Sequence, residues 1–360
     1  MNEIFIAAGG TGGHIFPALS IARHIVQNYP VRFIGTKRGM EKTIVPDAGF
    51  PLSFIRARGW NRTSSLDFFR AFRDNMVGVF QSLSLFIKYH PRAVLVFGSY
   101  VSLLIAFWAK IFRVPIYVQE QNIRPGFANR IISRWAARTF VSVIDAVDFF
   151  PGSKNVVVMG NPLRDDIINW RGRGDEARKR LGLDPQRKTL FIMGGSRGSQ
   201  TINQVFWEVF PLLQDLDIQV IHLTGSESFQ EAQKTAGLFS FHYLVYDFFS
   251  DPGIFYAAAD MALCRSGANV TYELFWFGLP AILIPYGEAT ESHQLYNAKW
   301  LQKQQPVVIL KEENLQPEVL EQAIRSLNGL SLKKCGDNQE FRFAAVRIAG
   351  MIVEEIRRRN

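Results

Sequence analysis

Two glycine-rich loops hold the residue types in this chain that could bind a phosphate or a sugar. The first, GGTGGH, spans residues 9–14, and the second, GGSRGS, spans residues 194–199; an apolar run precedes each, and a helical pattern follows. Glycine permits positive φ and close approach of a ligand, and a helix N-terminus offers unpaired N–H groups and a positive dipole end. Such loops suit a phosphate, a diphosphate or a sugar, and a tight structural turn is the alternative for each. Neither matches GxGxxG or a Walker-type GxxxxGKS/T pattern, so the sequence supports neither standard nucleotide site.

The histidine that ends the first loop adds the chemistry of proton transfer. His14 directly follows the glycines, at the junction of a predicted strand and a predicted helix. In an open α/β sheet this junction lies at the carboxyl edge, where ligands bind. Neutral imidazole accepts a proton near pH 7, so His14 is a candidate general base. The alternative is a histidine that only hydrogen-bonds the turn.

The elements that must position these loops are alternating strands and helices. This alternation predicts βαβ units and parallel sheets with helices on both faces. The two loops open similar segments, IFIAAGGTGGHIF and LFIMGGSRGSQTI, which predicts an α/β fold of two Rossmann-like domains facing a cleft. A hinge is expected near residues 156–167. The predicted strands are Ile4–Ala8, Val31–Ile34, Ala93–Phe97, Ile116–Gln119, Thr139–Val143, Val156–Met159, Thr189–Met193, Gln219–Leu223, His242–Val245, Met261–Cys264, Ala281–Ile284 and Val307–Leu310.

The charge of the chain is concentrated in its first half. The net charge is +9, and residues 1–160 carry 19 Lys and Arg against 8 Asp and Glu, whereas the remainder carries 22 against 24. A basic first half indicates an anionic partner: nucleic acid, a phosphorylated substrate or an acidic membrane surface. A solvated basic surface without a partner is the alternative.

Cysteine usage and hydropathy exclude several classes of protein. Cys264 and Cys335 form neither a CxxC pair nor a metal-ligand spacing, which indicates two reduced thiols. The start of the chain has no secretory signal pattern, so no signal peptide is expected. Residues 93–109 form an uncharged run, but Gly98-Ser99-Tyr100 breaks it, so a buried strand, a turn and a packed helix are expected rather than a membrane span.

Further motifs, in their order and spacing, resemble the MurG family of glycosyltransferases from residue 4 to about residue 300. The resemblance implies the two-domain GT-B fold and transfer of N-acetylglucosamine, with inversion, from UDP-N-acetylglucosamine (UDP-GlcNAc) to the C4 hydroxyl of the muramyl sugar of lipid I, the muramyl-pentapeptide-diphosphoryl-undecaprenol acceptor. It implies no cofactor and no metal. The motifs are GSYVS (98–102), QEQN (119–122), GNPLR (160–164), GGSRGSQTIN (194–203), CRSGANVTYE (264–273), GLPAILIPYG (278–287) and ESHQLYNA (291–298).

The resemblance implies that the second half of the chain binds the UDP-sugar. Glu273 would accept the ribose hydroxyls, because a carboxylate offers only acceptors. The backbone at Phe249 would read the uracil edge, and Gln294 with His293 would bond hydroxyls of the transferred sugar. Arg265 is either a phosphate ligand or one half of a structural ion pair. The remaining residues implied to bind the donor are Arg164, Ser196, Asn203, Ala268, Asn269, Val270, Thr271 and Tyr272.

The acceptor side is implied to lie in the first half. Thr11, Gly12 and Gly13 would hold the acceptor diphosphate or its junction with the sugar, and Tyr100 and Asn122 match polar positions of the family. His14 and Glu120 are both candidate bases. We favour the histidine because imidazole titrates near neutral pH, whereas a carboxylate would have to be adapted by burial. The family usually reads HEQN where this chain reads QEQN, so the histidine neighbour of Glu120 is absent.

A helix expected over residues 66–90 is the candidate membrane contact. Its apolar residues follow a three-four spacing, which is typical of one stripe on a helix. The stripe either packs into the core or inserts at an anionic membrane surface, which the nearby cations Arg70, Arg73 and Lys88 favour. A peripheral location on the cytoplasmic face of the inner membrane follows from the second interpretation. The stripe consists of Phe69, Phe72, Met76, Val79, Phe80, Leu83, Phe86 and Ile87.

The resulting hypothesis divides the chain by role. Residues 1–160 would face acceptor and membrane, residues 161–340 would bind UDP-GlcNAc, and a helix at about 341–360 would pack back on the first domain. The alternatives are a related enzyme that glycosylates another lipid, such as diacylglycerol, and a scaffold that binds UDP without transfer. Nucleic-acid binding has no motif to support it. Asp215-Leu216-Asp217 resembles a metal-binding DxD, but it falls where a surface turn is expected.

Overall fold

The computed structural model describes residues 3–59, 65–195, 198–237, 242–287, 292–330 and 339–359, which form two α/β units. Unit 1 comprises Met1–Leu163 together with Gln339–Asn360, and unit 2 comprises Arg164–Asn338. The first crossing from one unit to the other therefore falls inside the segment 156–167, where a strand ends in Gly160-Asn161-Pro162.

The described residues of unit 1 form seven parallel strands in the order β3-β2-β1-β4-β5-β6-β7. The two central strands, β1 and β4, are buried along their whole length. They read as continuous apolar runs because helices cover both faces of a parallel sheet. The strands are β1 (Ile4–Ala7), β2 (Val31–Gly35), β3 (Leu52–Phe54), β4 (Ala93–Val96), β5 (Ile116–Glu120), β6 (Arg138–Val141) and β7 (Val156–Val158).

The helices of unit 1 follow the strands in alternation, and two further helices return from the end of the chain. The last helix, α15, buries Ile348, Ile352 and Ile356 in the same core as helix α1. Its Glu355 accepts hydrogen bonds from Tyr117 at 3.2 Å and from Arg138 at 2.6 Å. The helices are α1 (Gly12–Ile25), α2 (Glu41–Asp47), α3 (Ser65–Tyr89), α4 (Ser99–Ile111), α5 (Phe127–Ile132), α14 (Gln339–Arg342) and α15 (Ala344–Arg358), with a 3-10 turn at Ile144–Phe149.

In unit 2, the part of the chain that the structure describes contains six parallel strands in the order β10-β9-β8-β11-β12-β13. Counted from the first strand of the unit, this is the Rossmann order 3-2-1-4-5-6. The strands are β8 (Lys188–Met193), β9 (Ile218–Leu223), β10 (Tyr243–Tyr246), β11 (Met261–Cys264), β12 (Ala281–Leu283) and β13 (Val307–Ile309). The helices are α6 (Asp165–Trp170), α7 (Gly174–Leu181), α8 (Gln200–Val209), α9 (Phe229–Ala236), α10 (Gly253–Ala258), α11 (Ala268–Phe277), α12 (His293–Gln304) and α13 (Pro317–Asn328), with 3-10 turns at Phe210–Leu213 and Glu312–Asn314.

Each glycine loop follows the central first strand of its own sheet. The strand order reverses beside that strand, between β1 and β4 in unit 1 and between β8 and β11 in unit 2. Ligands of open α/β sheets bind outside the carboxyl ends of the strands at such switch points. The fold therefore places the two loops where binding is expected in each unit.

Of the strands in the described residues, the sequence predicted all but one. The missed strand, β3, has only three residues, follows Pro51 and is half-buried at the sheet edge, so its sequence carries little apolar signal. The run at 93–109 forms β4 and α4, as expected. Among the residues that the structure describes, no helix combines the length and apolarity needed to cross a membrane.

Candidate active site

The first glycine loop presents the N-terminus of α1 at the carboxyl end of β1. Gly10 adopts φ of +98°, which glycine tolerates without strain. Thr11 is the N-cap residue, and its side chain makes no capping hydrogen bond. Thr11 and Gly13 are exposed, and the first turn of the helix carries no acidic residue. The positive end of the helix dipole is thus open to an anion at this loop.

His14 is oriented for proton acceptance. Its Nδ1 lies 3.2 Å from the carbonyl oxygen of Gly9. A carbonyl only accepts hydrogen bonds, so Nδ1 carries the proton in the neutral ring and Nε2 keeps its lone pair. The side chain is half-buried, and Nε2 lies beside Gly98, since a Cβ added there would be 3.5 Å away. The tautomer and orientation are those that a general base needs.

The loop after β4 supplies a second helix N-terminus at the same switch point. Gly98 and Ser99 have φ of +103° and +76°, the latter uncommon for a residue with a side chain. Helix α4 begins there without a side-chain cap, and Tyr100 in its first turn is exposed. Ser102 donates to the carbonyl of Gly98 and, at 3.3 Å, to that of Ala7 on β1. This hydrogen bond holds the two loops in a common arrangement.

Glu120, the other candidate base, accepts hydrogen bonds from the segment that follows β5. It is 1% exposed, and its Oε1 accepts from the backbone N–H and side-chain amide of Asn122 at 2.9 and 3.0 Å. Its Oε2 accepts from the Gly126 N–H at 3.1 Å and the Asn129 amide at 2.9 Å. A carboxylate bound by four donors holds a loop in shape and presents little to a substrate hydroxyl. The geometry favours His14.

A buried carboxylate that the sequence analysis missed supports the first glycine loop. Glu41, at the start of α2, is 0% exposed, and its Oε2 accepts from the Gly10 N–H at 3.0 Å. Its Oε1 accepts from the N–H and the hydroxyl of Thr36 at 2.8 and 2.9 Å. A Cβ at Gly39 or Gly35 would come within 1.9 or 2.5 Å of this side chain. The only sequence signal was an acidic residue among glycines, GTKRGME, in a basic half.

In unit 2, helix α11 opens toward the carboxyl edge of the sheet. Its N-cap residue, Gly267, makes no side-chain cap, and the residues of the first turn, Ala268, Asn269 and Val270, are partly exposed. Thr271 and Tyr272 point inward: the Thr271 hydroxyl donates to the Gly267 carbonyl at 3.0 Å, and the Tyr272 ring packs on Trp300. Of the predicted residues on this helix, the two buried ones serve packing.

Glu273, one turn further, is positioned by a tyrosine. Its Oε2 accepts from the Tyr256 hydroxyl at 2.6 Å. Burial raises the pKa of Glu273, while the Tyr256 hydrogen bond and the charge of Arg164 act in the opposite direction. The hydrogen bond from Tyr256 fixes Oε2 of Glu273 and thereby sets the orientation of Oε1.

Arg164 and Phe249 belong to one packed segment. The Arg164 guanidinium donates to Asp166 at 2.9 Å and to the carbonyl of Ser250 at 2.6 Å. The Phe249 ring packs on Phe255, 4.6 Å between centroids. Arg164 therefore anchors the segment that carries Phe249, whose predicted role lies in its backbone.

The structure favours the ion-pair alternative for Arg265. Its side chain is buried and donates to Glu312 at 2.6 Å, to the Ser199 hydroxyl at 3.0 Å and to the Ile284 carbonyl at 3.3 Å. The hydrogen bond from Arg265 lowers the pKa of Glu312. Since Ser199 is the N-cap of α8, this ion pair fixes the end of the second glycine loop.

The expected contact between Asn203 and a substrate is not supported. Asn203 is fully buried, its amide donates to the Thr224 carbonyl at 3.0 Å, and its Oδ1 bonds to Nε2 of His222 at 2.9 Å. The other ring nitrogen of His222 bonds to the hydroxyl of Tyr243. Burial lowers the pKa of His222 to about 3, so the histidine is neutral. Asn203 belongs to a core network beneath the loop.

The loop after β12 and the DxD-like pattern complete the set of predicted positions. The Oε1 of Gln294 accepts from the Tyr286 N–H at 2.9 Å, and His293 is half-buried at the start of α12. Ser196 lies outside the described residues. Asp215 forms an ion pair with Arg325 at 2.7 Å, and Asp217 pairs with Arg187 at 2.9 Å. In the described parts of the chain, no three His, Cys, Asp or Glu side chains are grouped as metal ligands.

The apolar stripe of α3 is mainly exposed, so the core-facing alternative holds for only part of it. Phe69 is 68% exposed, Phe80 64% and Phe72 50%, and Met76 and Ile87 are also exposed. From this stripe, only Phe86 is buried; Val79 and Leu83 are half-buried.

Two Rossmann-type units, each with an uncapped helix N-terminus at its switch point, have the architecture of the GT-B fold of glycosyltransferases. Solved structures support this fold. Acinetobacter baumannii MurG superposes with a TM-score of 0.74 and 24% identity, covering 99% of this chain and 100% of that one. Os79 from O. sativa, solved in complex with UDP, gives a TM-score of 0.70 at 13% identity, with coverage of 99% and 100%.

The chain belongs to glycosyltransferase family 28. The N-terminal domain model of that family matches residues 4–141, and its C-terminal domain model matches residues 189–348. A protein of Acetivibrio thermocellus is 34% identical, covering 90% of this chain and 89% of its own length, and one of Desulforudis audaxviator is 35% identical with the same coverage. Both are named UDP-N-acetylglucosamine--N-acetylmuramyl-(pentapeptide) pyrophosphoryl-undecaprenol N-acetylglucosamine transferase.

Proposed function

We propose that the chain transfers N-acetylglucosamine from UDP-GlcNAc to the C4 hydroxyl of the muramyl sugar of lipid I, with inversion. Similarity over nine-tenths of the chain to relatives named for this reaction carries the proposal. The acceptor oxygen attacks the anomeric carbon, the bond from that carbon to the diphosphate oxygen breaks, and UDP leaves with the electron pair. The reaction therefore requires a base on the acceptor hydroxyl and hydrogen-bond donors on the diphosphate.

Unit 1 is proposed to hold the acceptor. The lone pair on Nε2 of His14 would take the proton of the attacking hydroxyl, since the Gly9 carbonyl keeps the proton of the neutral ring on Nδ1. The amides of Thr11, Gly12 and Gly13 would contact the acceptor where its sugar meets its diphosphate. Tyr100, exposed on the neighbouring helix N-terminus, and Asn122 would contribute polar contacts.

Unit 2 is proposed to hold the donor. The first-turn amides at Ala268–Val270 would bind the diphosphate and stabilise its developing charge. Glu273 would accept ribose hydroxyls through the oxygen that Tyr256 leaves available. The Phe249 backbone would read the uracil edge. Gln294, His293 and Ser196 would bond to the sugar and phosphate, and Arg164 would add positive charge.

The exposed stripe of α3 is proposed to dock unit 1 on an anionic membrane surface, at the cytoplasmic face of the inner membrane. Exposed aromatic side chains insert favourably at the headgroup boundary. Each nearby cation strengthens binding to an anionic membrane surface by roughly 1 kcal/mol. This docking would bring the glycine loop to a lipid acceptor without a membrane span.

A transfer assay tests the proposal. Purified full-length protein is incubated with labelled UDP-GlcNAc and either lipid I or diacylglycerol, and the labelled lipid is quantified. We expect product only with lipid I, and we expect His14→Ala to lower kcat by about 10²- to 10⁴-fold with unchanged melting temperature. Turnover only with diacylglycerol would select the related lipid glycosyltransferase, and UDP binding without any transfer would select the scaffold.

A further inference from the structure

A basic cavity in unit 1 has no role in the site described above. It is an open cavity of about 580 Å³ at the carboxyl edge of the sheet, where β2 and β3 end, and α3 forms one wall. Among the described residues, the one acidic residue of its lining is Asp74, which forms an ion pair with Arg73 at 3.4 Å. The cationic residues of the lining are Lys37, Arg38, Arg56, Arg58, Arg70 and Arg73.

The charge of the lining indicates an anionic occupant. Arg58 and Arg70 also face Asp67, at 3.5 and 3.8 Å, but the cations of the described lining still outnumber these carboxylates. The excess positive charge raises the local concentration of anions. Lys37, Arg38 and Arg56 are exposed, so their guanidinium and ammonium groups can reorient toward a ligand. Arginine suits a phosphate in particular, because its planar group donates two parallel hydrogen bonds.

The cavity adjoins the first glycine loop. Thr36 lines the cavity, and its N–H and hydroxyl donate to Oε1 of Glu41. The other oxygen of the same carboxylate accepts from the Gly10 N–H. One buried side chain thus connects the cavity wall to the loop proposed to meet the acceptor, so the cavity and the loop are neighbours at the same edge of the sheet.

The cavity also adjoins the exposed apolar stripe of α3. At about 100° per residue, the cavity-facing residues of α3 and the stripe that includes Phe69, Phe72 and Phe80 lie roughly a third of a turn apart. A ligand at this position would have its anionic group among the cations and its chain along the apolar side. That is the chemistry of a phosphate carried on a lipid.

We propose that this cavity binds the diphosphate of the polyprenyl acceptor, which leaves the first glycine loop to contact the sugar junction. The inference rests on the proposed function. The glycine loop offers backbone amides at a helix N-terminus, whereas the cavity offers exposed cationic side chains beside an apolar face. The cations and the apolar face of the cavity match a doubly charged group that is attached to a hydrocarbon chain.

Kinetics of a double variant, Arg38→Gln with Arg56→Gln, test the assignment. Charge-assisted hydrogen bonds to phosphate are strong, so we expect the acceptor KM to rise about tenfold, with kcat and the KM for UDP-GlcNAc unchanged. The matched control is Arg134→Gln with Lys154→Gln, which removes two exposed cations of unit 1 outside the cavity. An unchanged acceptor KM, or an equal rise in the control, would overturn the proposal.

Two further measurements distinguish a polyprenyl diphosphate from the phosphate of bulk lipid, and they distinguish failure of this proposal from failure of the proposed function. Farnesyl diphosphate should bind wild-type protein in calorimetry and bind the cavity variant about tenfold more weakly; this readout needs no transfer, so it stands even if the proposed function fails. Vesicles of phosphatidylcholine, with and without phosphatidylglycerol, report on bulk lipid. A variant that loses only phosphatidylglycerol-dependent binding, with normal kinetics on detergent-solubilised acceptor and normal farnesyl diphosphate binding, would overturn the acceptor assignment.

Discussion

Substitution Glu41→Gln should destabilise unit 1 and weaken acceptor binding together. The carboxylate accepts three hydrogen bonds, two on one oxygen from Thr36 and one on the other from Gly10, and it is completely buried. Glutamine has the same shape but only one oxygen. The NH₂ group of glutamine cannot accept a hydrogen bond, so the N–H of either Gly10 or Thr36 would lose its acceptor. A buried donor without an acceptor costs about 1–3 kcal/mol.

The expected result is a loss of about 2 kcal/mol in the free energy of unfolding and a higher acceptor KM, with the KM for UDP-GlcNAc unchanged. Urea unfolding and initial-rate kinetics on the full chain measure the two effects. Asp47→Asn is the matched control, because it makes the same chemical change at an exposed position of the same helix. Equal stability of Glu41→Gln and the control, with an unchanged acceptor KM, would refute the reasoning.

A second perturbation reaches the same carboxylate from the opposite side. A methyl group at Gly39 would lie 1.9 Å from Oε2 of Glu41, so Gly39→Ala must displace that side chain. Gly39→Ala should therefore reproduce the loss of stability, and the double variant should lose less than the sum of the two. Additive losses would mean that the two residues act independently.

Three more predictions concern other parts of the chain. Burial lowers the pKa of His222 from 6.5 to about 3, so between these pH values the unfolded state binds a proton that the folded state does not. The free energy of unfolding should therefore fall by up to about 1.4 kcal/mol per pH unit as the pH decreases below 6.5. His222→Gln should flatten this slope in urea titrations at several pH values. Tyr256→Phe removes the donor to Glu273 and should raise the KM for UDP-GlcNAc about tenfold, with the acceptor KM unchanged in the same assay. Phe69→Ser with Phe72→Ser should reduce sedimentation with anionic vesicles at unchanged melting temperature, because both rings are exposed.

Most of the fold could be predicted because parallel strands buried on both faces read as continuous apolar runs. β1 and β8 are such runs, and the glycines after each predicted the strand-to-helix turn. The strand β3 could not be predicted, since three half-buried residues at a sheet edge need little apolar character.

The roles of polar residues were harder to predict, because their partners are distant in sequence. Arg164 bonds to a carbonyl 86 residues away, and Asn203 lies in a network with a histidine 19 residues away. A motif shows that a polar residue stands beside a binding loop. It does not show whether the side chain faces the ligand or holds the loop. Glu41 was missed for the same reason, since Gly10 lies 31 residues before it.

Two buried carboxylates of unit 1, Glu41 and Glu120, share one physical role, and this role separates the two candidate bases by experiment. Glu41 and Glu120 each bind several donors from a loop, whereas His14 presents a free lone pair that a neighbouring carbonyl orients. Glu120→Gln should therefore resemble Glu41→Gln: it should raise the acceptor KM and lower stability, and the pH profile of kcat should keep its shape.

His14→Ala should instead reduce kcat and abolish the acid limb of that profile, because the proton acceptor itself is lost. The comparison requires matched melting temperatures for the two variants. If folded Glu120→Gln lost kcat as fully as His14→Ala, with the acceptor KM unchanged, the carboxylate would be the base. The four donors around Glu120 would then have to rearrange when the acceptor binds, since a carboxylate that already accepts four hydrogen bonds has no lone pair directed at a substrate hydroxyl.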